Sequence, residues 1–545
     1  MNPRRAVNLA TILGQTARRL PHHDALVHGD VRWSWSELDA RTTALARELA
    51  RLGVCAGDCV LLDGPNHPEF VQAMFAVWRA GAVVAPVNSR LHDRDIADIA
   101  RVCRPRAVIA HADTSSHVDA VRAEMQRADL PVLIIGGNPD APGAIGGLPH
   151  EESRATSAGA DDAVVLVGDP AWYFFTSGTS GTPKAAVLTH DQLGYVVTNH
   201  LADLMPTTGA THRSLVLAPL SHGAGVHLLP QVARGAASVI PVSPSLDPPE
   251  VWRLVQRERV TNMFTVPTIL TRTVNDPAVD TFDHGSLEYV IYAGAPMARR
   301  DQDRARAALG DVLVQYYGLA EVTGNITVLP RDDHDRQAPT GIDITTCGRP
   351  RTGMGISIQD EDGVELGPLE TGEICVSGPG VFAGYLDNEA ADAAAFRNGW
   401  FRTGDVGMLD LHGYLYITGR VSDMYISGGS NIHPRPIEEK LLDHPDIDEV
   451  VVLGMPDPTW GEVGVAVCVP AAGTSLDEAE VRAWMTQRVA RYKVPRYVVS
   501  WDALPRSGYG KVTRRTVREH LVERGWEPGI GPVPTPATSR DGVLT

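Results

Sequence analysis

Apolar positions fall into short continuous runs separated by amphipathic stretches. CVLLDG (59–64), AVVAPVN (82–88), AVIAH (107–111), PVLIIGG (131–137), SLVLAPL (214–220), ASVIPV (237–242), NMFTVP (262–267) and EYVIYAG (288–294) have the length and β-branched content of strands buried on both faces. Segments 68–80 and 248–258 carry helical spacing between them. In SWSELDARTTALARELARL (34–52), Leu38, Leu45, Leu49 and Leu52 keep a helical face, and Ser34 or Ser36 can accept the first free backbone N–H bonds. This alternation predicts α/β architecture, a large N-terminal domain of mixed, largely parallel sheets flanked by helices.

The texture changes twice further on. Beyond residue 345, short strands with DG, NG and HG turns (EDGVELG, RNGWFRTGD, LHGYLYITG) predict an antiparallel β subdomain over about 345–419. After Arg420, the strands EVVVLGMP, GVAVCVP and RYVVS with two helical segments predict a small, mobile α+β C-terminal domain over 425–525. That division makes 1–419 the large domain and 420–424 a hinge. Residues 137–162, rich in Gly, Ala and Asp, read as a surface connection, and the Pro-rich tail 526–545 as disordered.

A length of 545 residues, 43% of them hydrophobic and 21% charged, fits several globular units with a large core. No apolar run approaches 18 residues, which excludes a membrane-spanning helix. The opening MNPRRAVNLATILGQTARRLP is interrupted by Asn8, Thr11 and Gln15 and reads as an amphipathic helix, not a signal peptide. Six scattered cysteines form neither a disulfide framework nor a zinc motif, and no HExxH occurs among 19 histidines. These features predict a cytoplasmic protein without integral membrane association or a protein-bound transition metal.

Net charge of -17 argues against nucleic acid as a partner. Any polyanion must find a local basic surface. Residues 482–518 supply one, with ten Arg and Lys side chains against Asp502 alone. Only four lysines occur, Lys184, Lys440, Lys493 and Lys511, which marks each as a place where a planar guanidinium fork would not fit.

The strongest chemical signal is YFFTSGTSGTPKAAVLTH (173–190). Thr176, Ser177, Gly178, Thr179, Ser180, Gly181 and Thr182 lie between two apolar segments and are closed by Lys184. Glycines admit close backbone N–H groups, hydroxyls add donors and the lysine adds charge, which together make a phosphate cradle. Pro183 before the lysine and Ala185 after it exclude the GxxxxGK[ST] pattern.

This run resembles the phosphate-binding loop of the adenylate-forming enzymes, the superfamily of acyl-CoA synthetases, peptide-synthetase adenylation domains and beetle luciferases. Further segments follow in the family's order: QYYGLAEVTG (315–324), RTGD (402–405), GRVSDMYISGGSNIHPRPIE (419–438), then ARYKVP (490–495) and LPRSGYGKVTRR (504–515). The similarity spans about residues 8–525, and GGSNIHP looks most like the free-standing fatty-acid and carboxylic acid–CoA ligases.

The resemblance implies ATP, Mg2+ and coenzyme A as cofactors and a small carboxylic acid as substrate. Glu321 would be the magnesium ligand, Asp405 would accept from the ribose hydroxyls, Arg420 would contact the ribose and Asp423 would be the hinge residue. Tyr316, Tyr317, Gly318 and Ala320, with Gly294, Ala295 and Pro296, would line the nucleotide. Lys511 would bridge the substrate carboxylate and α-phosphate, joining Thr176, Lys184 and Glu321 as the catalytic set. The acyl pocket would run along His222–His227, Val266–Leu270 and Ala293–Pro296, including His222, Gly223, Val226, Val266 and Ala293. Its small residues Gly223, Ala224 and Gly225 predict room for a medium-chain, ring-bearing or aromatic acid. One departure is Ala320, where the family carries Thr or Ser to contact the α-phosphate. The implied reaction is carboxylate activation as acyl-AMP followed by transfer to the coenzyme A thiol; an amine or a carrier-protein thiol is the alternative acceptor. Oligomeric state is left open.

Overall fold

The computed structural model describes residues 5–148, 162–176, 183–340, 344–506, 512–527 and 531–532. A six-stranded sheet runs in the order Val132–Ile135, Ala107–His111, Cys59–Gly64, Val83–Asn88, Pro170–Thr176, Lys184–Thr189. All its pairs are parallel except the last, an antiparallel hairpin. Every residue of Cys59–Gly64 is buried, which explains its apolar start CVLL, and the buried Asp63 is bound to His117 at 2.7 Å.

A nine-stranded sheet holds Leu313–Tyr317, Tyr289–Tyr292, Asn262–Thr265, Arg213–Val216, Ala237–Ile240 and Asp24–His28 as parallel neighbours, with antiparallel strands at both edges. Helix Pro68–Arg79 touches strands of both sheets and buries every residue except Glu69. A helix closed off on all sides must be apolar all round, as PEFVQAMFAVWR nearly is. Its last residue, Arg79, is paired with Asp39 at 2.6 Å and Asp162 at 2.8 Å. Helix Trp35–Arg51 starts at Ser34, whose hydroxyl accepts from Glu37 N–H while the Glu37 carboxylate accepts from Ser34 N–H.

An antiparallel sheet of Gly355–Gln359, Gly372–Ser377, Trp400–Leu409, Phe396–Arg397 and Leu415–Arg420 forms the expected β subdomain. Beyond it, Ser430–Ile432, Tyr425–Ser427, Gly461–Pro470, Ile447–Asp457 and Tyr497–Ser500 build a separate sheet. Among the described residues, no buried apolar cluster mixes side chains from before residue 420 with side chains from after 424.

Two expectations need correction. Among its described residues the C-terminal part holds three α-helices, Pro434–Leu442, Glu478–Thr486 and Arg514–Glu523, not two; the first was hidden by its two prolines, which the first helical turn tolerates. The tail does not lose structure at 526, because Trp526 is buried against Tyr497 and Trp526–Glu527 pairs with Gly531–Pro532. Residues 528–530 and 533–545 lie outside the described residues, as does 149–161 of the expected surface connection. Among the described residues no helix is long and apolar enough to cross a membrane.

Candidate active site

The antiparallel pairing of Pro170–Thr176 with Lys184–Thr189 sets Thr176 directly opposite Lys184. The hydroxyl-rich run is therefore the connection of a hairpin, and its two chemically competent flanks face each other at the mouth. Ser177, Gly178, Thr179, Ser180, Gly181 and Thr182 lie outside the described residues.

A strap from the β subdomain crosses this hairpin. Val187 N–H donates to Gly384 O, Ala383 N–H to Val187 O and Leu386 N–H to Ala185 O, at 2.9–3.0 Å. Phe382 N–H donates to the Glu321 carbonyl at 2.7 Å. Between these bonds sits Tyr385, whose hydroxyl donates to Glu321 Oε1 at 2.9 Å and whose ring centroid lies 5.1 Å from Lys184 Nζ. Burial, and after it the Glu321 carboxylate, push the Tyr385 hydroxyl far up from its ordinary range, so it is a donor at any working pH. Among the described residues Glu321 Oε2 has no hydrogen-bond partner. A single free carboxylate oxygen beside a phosphate cradle fits Mg2+, which favours one or two carboxylates plus phosphate oxygens over a full protein cage.

Glu321 stands on the turn Ala320–Val322 that follows strand Leu313–Tyr317. At the end of that strand Tyr317 Oη donates to Asp405 Oδ2 at 2.5 Å, and Arg420 Nε donates to Asp405 Oδ1 at 3.0 Å. Asp405 and Arg420 are cross-strand partners, which fixes this pair by register. Burial raises the Asp405 carboxyl despite the Arg420 charge, while Arg420 keeps 58% of its side chain exposed. Gly318 admits the chain's return, because a Cβ there would lie 2.2–2.4 Å from the backbone of Gly324.

Tyr316 and Tyr317 take opposite directions at the end of this strand. Successive residues of a strand point to opposite faces, so while Tyr317 meets Asp405, Tyr316 is buried and stacked on Phe264 at 5.8 Å. Its ring is thereby turned away from Asp405. The ends of the parallel strands release Val266, Ala293–Pro296 and Gly318–Glu321 at one edge, where ligands of α/β sheets bind. Gly294, Ala295 and Pro296 are exposed there, Ala293 is buried and Val266 is half-buried.

The acyl segment also departs from expectation. His222 precedes helix Gly223–Arg234, 2.9 Å from the Ser221 hydroxyl and edge-on to Phe174. Ala224 and Val226 are buried. A Cβ on Gly223 would lie 2.8 Å from the Phe264 ring, and one on Gly225 would lie 2.1 Å from Leu220 O and 2.7 Å from Trp172. The glycines serve close packing instead of leaving the space read from their size.

Asp423 ends the turn Val421–Asp423 and is held by Arg514 Nη1 at 2.7 Å. The same guanidinium donates to Glu438 Oε1 at 2.5 Å and to Val452 O at 2.8 Å. Arg514 therefore directs its guanidinium to Asp423, Glu438 and Val452 and not outward, and Arg506 and Arg515 pair with Glu449 and Glu519. Lys511 lies outside the described residues.

Two contributors escaped the sequence reading, Tyr385 and Arg514. Tyr385 lies in a turn-rich stretch without apolar periodicity, and Arg514 was one of ten basic residues spread over 482–518. Only the glycine before Tyr385 offered a signal, and a weak one.

Thr176 opposite Lys184, Glu321 held by Tyr385, and Asp405 held by Tyr317 and Arg420 thus gather polar and charged groups around one end of an α/β fold. The sequence matches the AMP-binding enzyme family over residues 13–386 and the AMP-binding enzyme C-terminal domain over residues 436–511. It is 36% identical over 511 residues to feruloyl-CoA synthase of Amycolatopsis sp, covering 93% of this chain and 97% of that one. Indoleacetate–CoA ligase of Aromatoleum aromaticum is 34% identical, with 94% and 96% covered. The solved structure of amide bond synthetase McbA from Marinactinospora thermotolerans superposes with a TM-score of 0.84 at 26% identity, covering 94% and 99%. The chain belongs to the AMP-binding enzyme family.

Proposed function

We propose that the protein is an ATP-dependent carboxylic acid–CoA ligase. The observation that carries this reading is that segment 317–321 joins two halves of one site: Tyr317 reaches Asp405 and Arg420, and Glu321 reaches Tyr385 beside Lys184. Nucleoside and polyphosphate thus have adjoining places on one short stretch of chain.

In the first half-reaction a substrate carboxylate oxygen attacks the α-phosphorus of ATP in line. The new P–O bond forms as the bond to pyrophosphate breaks, leaving an acyl-adenylate. Such a reaction is chiefly positioning and charge stabilisation. Thr176, Lys184 and the loop between them hold phosphate oxygens, Lys511 brings carboxylate and α-phosphate together, and Asp405 accepts from the ribose. Glu321 would hold Mg2+, which when bound offsets charge on the phosphates. In the second half-reaction the coenzyme A sulfur forms a bond to the activated carbonyl and AMP leaves. Residues 1–419 and 425–525 act as two units that reorient about 420–424, withdrawing Lys511 between the steps. Six free thiols, of which only Cys55 is exposed, support a reducing compartment such as the cytoplasm.

A second acceptor is favoured by one specific observation, the likeness to an amide bond synthetase, which would replace the thiol with an amine. The relatives of higher identity named as CoA ligases favour the thiol. The deciding experiment is AMP release across a panel of carboxylic acids with ATP and Mg2+, with and without coenzyme A, followed by mass detection. AMP and an acyl-CoA formed only with coenzyme A support the ligase. Pyrophosphate release with a retained acyl-adenylate sends the search to amines and carrier proteins.

A further inference from the structure

Lys184 and Glu321 carry opposite charges and flank the same tyrosine, yet among the described residues no ion pair joins them. Two such groups at a site mouth attract each other, and a pair once formed must break before the lysine can meet a phosphate or the carboxylate a cation. The side chain between them is Tyr385. Its hydroxyl uses one Glu321 oxygen at 2.9 Å, and its ring face seats the Lys184 ammonium at 5.1 Å, a cation–π distance.

The tyrosine is itself fixed from several sides. Its backbone N–H donates to Asp392 Oδ1 at 2.7 Å, its ring meets Phe382 edge-on at 4.8 Å, and the residue bridges to Ala186 in the Lys184 strand. The strap also holds the Glu321 main chain through Phe382 N–H. Tyr385 thus has one rigid position from which it contacts both charges, on an element foreign to both.

We propose that Tyr385 is a positioning residue that keeps Glu321 and Lys184 from pairing, presenting the free Glu321 oxygen to a divalent cation and the Lys184 ammonium to phosphate oxygens. The inference rests on the reading of Glu321 as the carboxylate that holds Mg2+. Tyr385 acts through Glu321 and Lys184, so its loss acts on affinity for the metal and not on every step alike.

The test is titration calorimetry of the full chain with Mn2+ in the presence of a nonhydrolysable ATP analogue, and with the analogue alone. Tyr385→Phe keeps the ring and loses the hydroxyl. It should weaken Mn2+ binding about ten- to a hundredfold, the range for one hydrogen bond to a charged group, while leaving binding of the metal-free analogue unchanged. Tyr385→Leu removes the ring as well and should weaken the metal-free analogue too, since Lys184 loses its seat. In turnover assays Tyr385→Phe should raise the Mg2+ concentration for half-maximal rate and be rescued by excess Mg2+, which a merely structural lesion would not be. An unaltered melting temperature for Tyr385→Phe identifies the effect as local.

Unchanged Mn2+ affinity in Tyr385→Phe, or equal weakening of metal and metal-free analogue, overturns the positioning role. Glu321→Gln is run beside it. If that variant loses the metal response while Tyr385→Phe does not, only the tyrosine's role fails. If Glu321→Gln binds Mn2+ as the wild type does, the metal-ligand reading fails and takes the inference with it.

Discussion

Ala320 is the residue at which this chain departs from its family's pattern, and it sits immediately before Glu321 on the turn Ala320–Val322. A methyl group there offers no donor to the α-phosphate, and a hydrogen bond to a charged group is worth about 1.5–3 kcal/mol. Ala320→Thr should therefore speed acyl-adenylate formation by about tenfold or more, without moving the coenzyme A KM. Single-turnover adenylation measures this, and an unchanged rate would mean that the phosphate already has another donor. Lys511 makes the complementary case, since the proposed mechanism needs its charge in one half-reaction alone. Lys511→Ala should slow adenylation by roughly 10²–10³, as for other lost transition-state donors, while sparing thioester formation from supplied acyl-adenylate. Equal loss in both steps would refute a role confined to the first.

Among the elements, the segments that hold the fold together also make it acid-sensitive. His190 opens helix His190–Asp203 and accepts from Leu9 N–H at 3.1 Å through Nδ1, which ties the N-terminal region to the hairpin's helix. His67 caps helix Pro68–Arg79 by accepting from Glu69 N–H at 3.2 Å. Burial holds both imidazoles down to about 4, and His227 likewise. Their folded values lie below the unfolded value near 6.5, so the unfolded chain binds these protons first. Their contribution is fully present above pH 6.5 and is lost as pH falls toward 4, at a slope approaching about 1.4 kcal/mol per pH unit for each group. Melting temperature should drop steeply between pH 6.5 and 4.5, and a flat profile would contradict neutral burial. The sequence was most legible where an element's pattern serves burial, as in Tyr289–Tyr292, whose position inside a parallel sheet calls for a continuous run of large apolar and aromatic side chains. Thr176, Lys184, Glu321 and Asp405 could be singled out in the sequence because residue type and spacing are local signals, and the structure sets Thr176 opposite Lys184, Glu321 beside Tyr385 and Asp405 beside Tyr317. The strap at 382–386 was not, since it pairs by backbone bonds that place no demand on side-chain periodicity. Gly223 and Gly225 were misread for a related reason: a missing side chain looks the same in sequence whether it leaves space or admits a neighbour.

For the whole molecule the question is what holds the C-terminal part against the rest. Separate buried cores mean that the two are joined by the 420–424 segment and by surface contacts, which favours relative motion. The most specific of those contacts is made by Arg300 on helix Arg299–Leu309. Its Nη1 donates to Leu442 O and Ile447 O, both at 2.8 Å, and its Nη2 to Asp448 O at 2.7 Å. One guanidinium thus caps the end of helix Pro434–Leu442 from across the divide, where the carbonyls and the helix dipole both favour a cation. These bonds exist in this arrangement and would be lost when the C-terminal part reorients about Asp423. Arg300→Ala should therefore shift the population away from it by about 1–3 kcal/mol, the scale for hydrogen bonds from a charged group that is partly open to water. Because the two half-reactions need different arrangements, the shift should slow one by about tenfold and leave the other unchanged or faster. Separate single-turnover measurements of adenylation and of thioester formation resolve this, with the distance between dyes on the two parts followed in parallel. A lengthened distance with opposed rate changes supports alternation about 420–424. Equal slowing of both steps at unchanged distance would place Arg300 in plain stability and remove the argument that its three bonds set the balance between the arrangements.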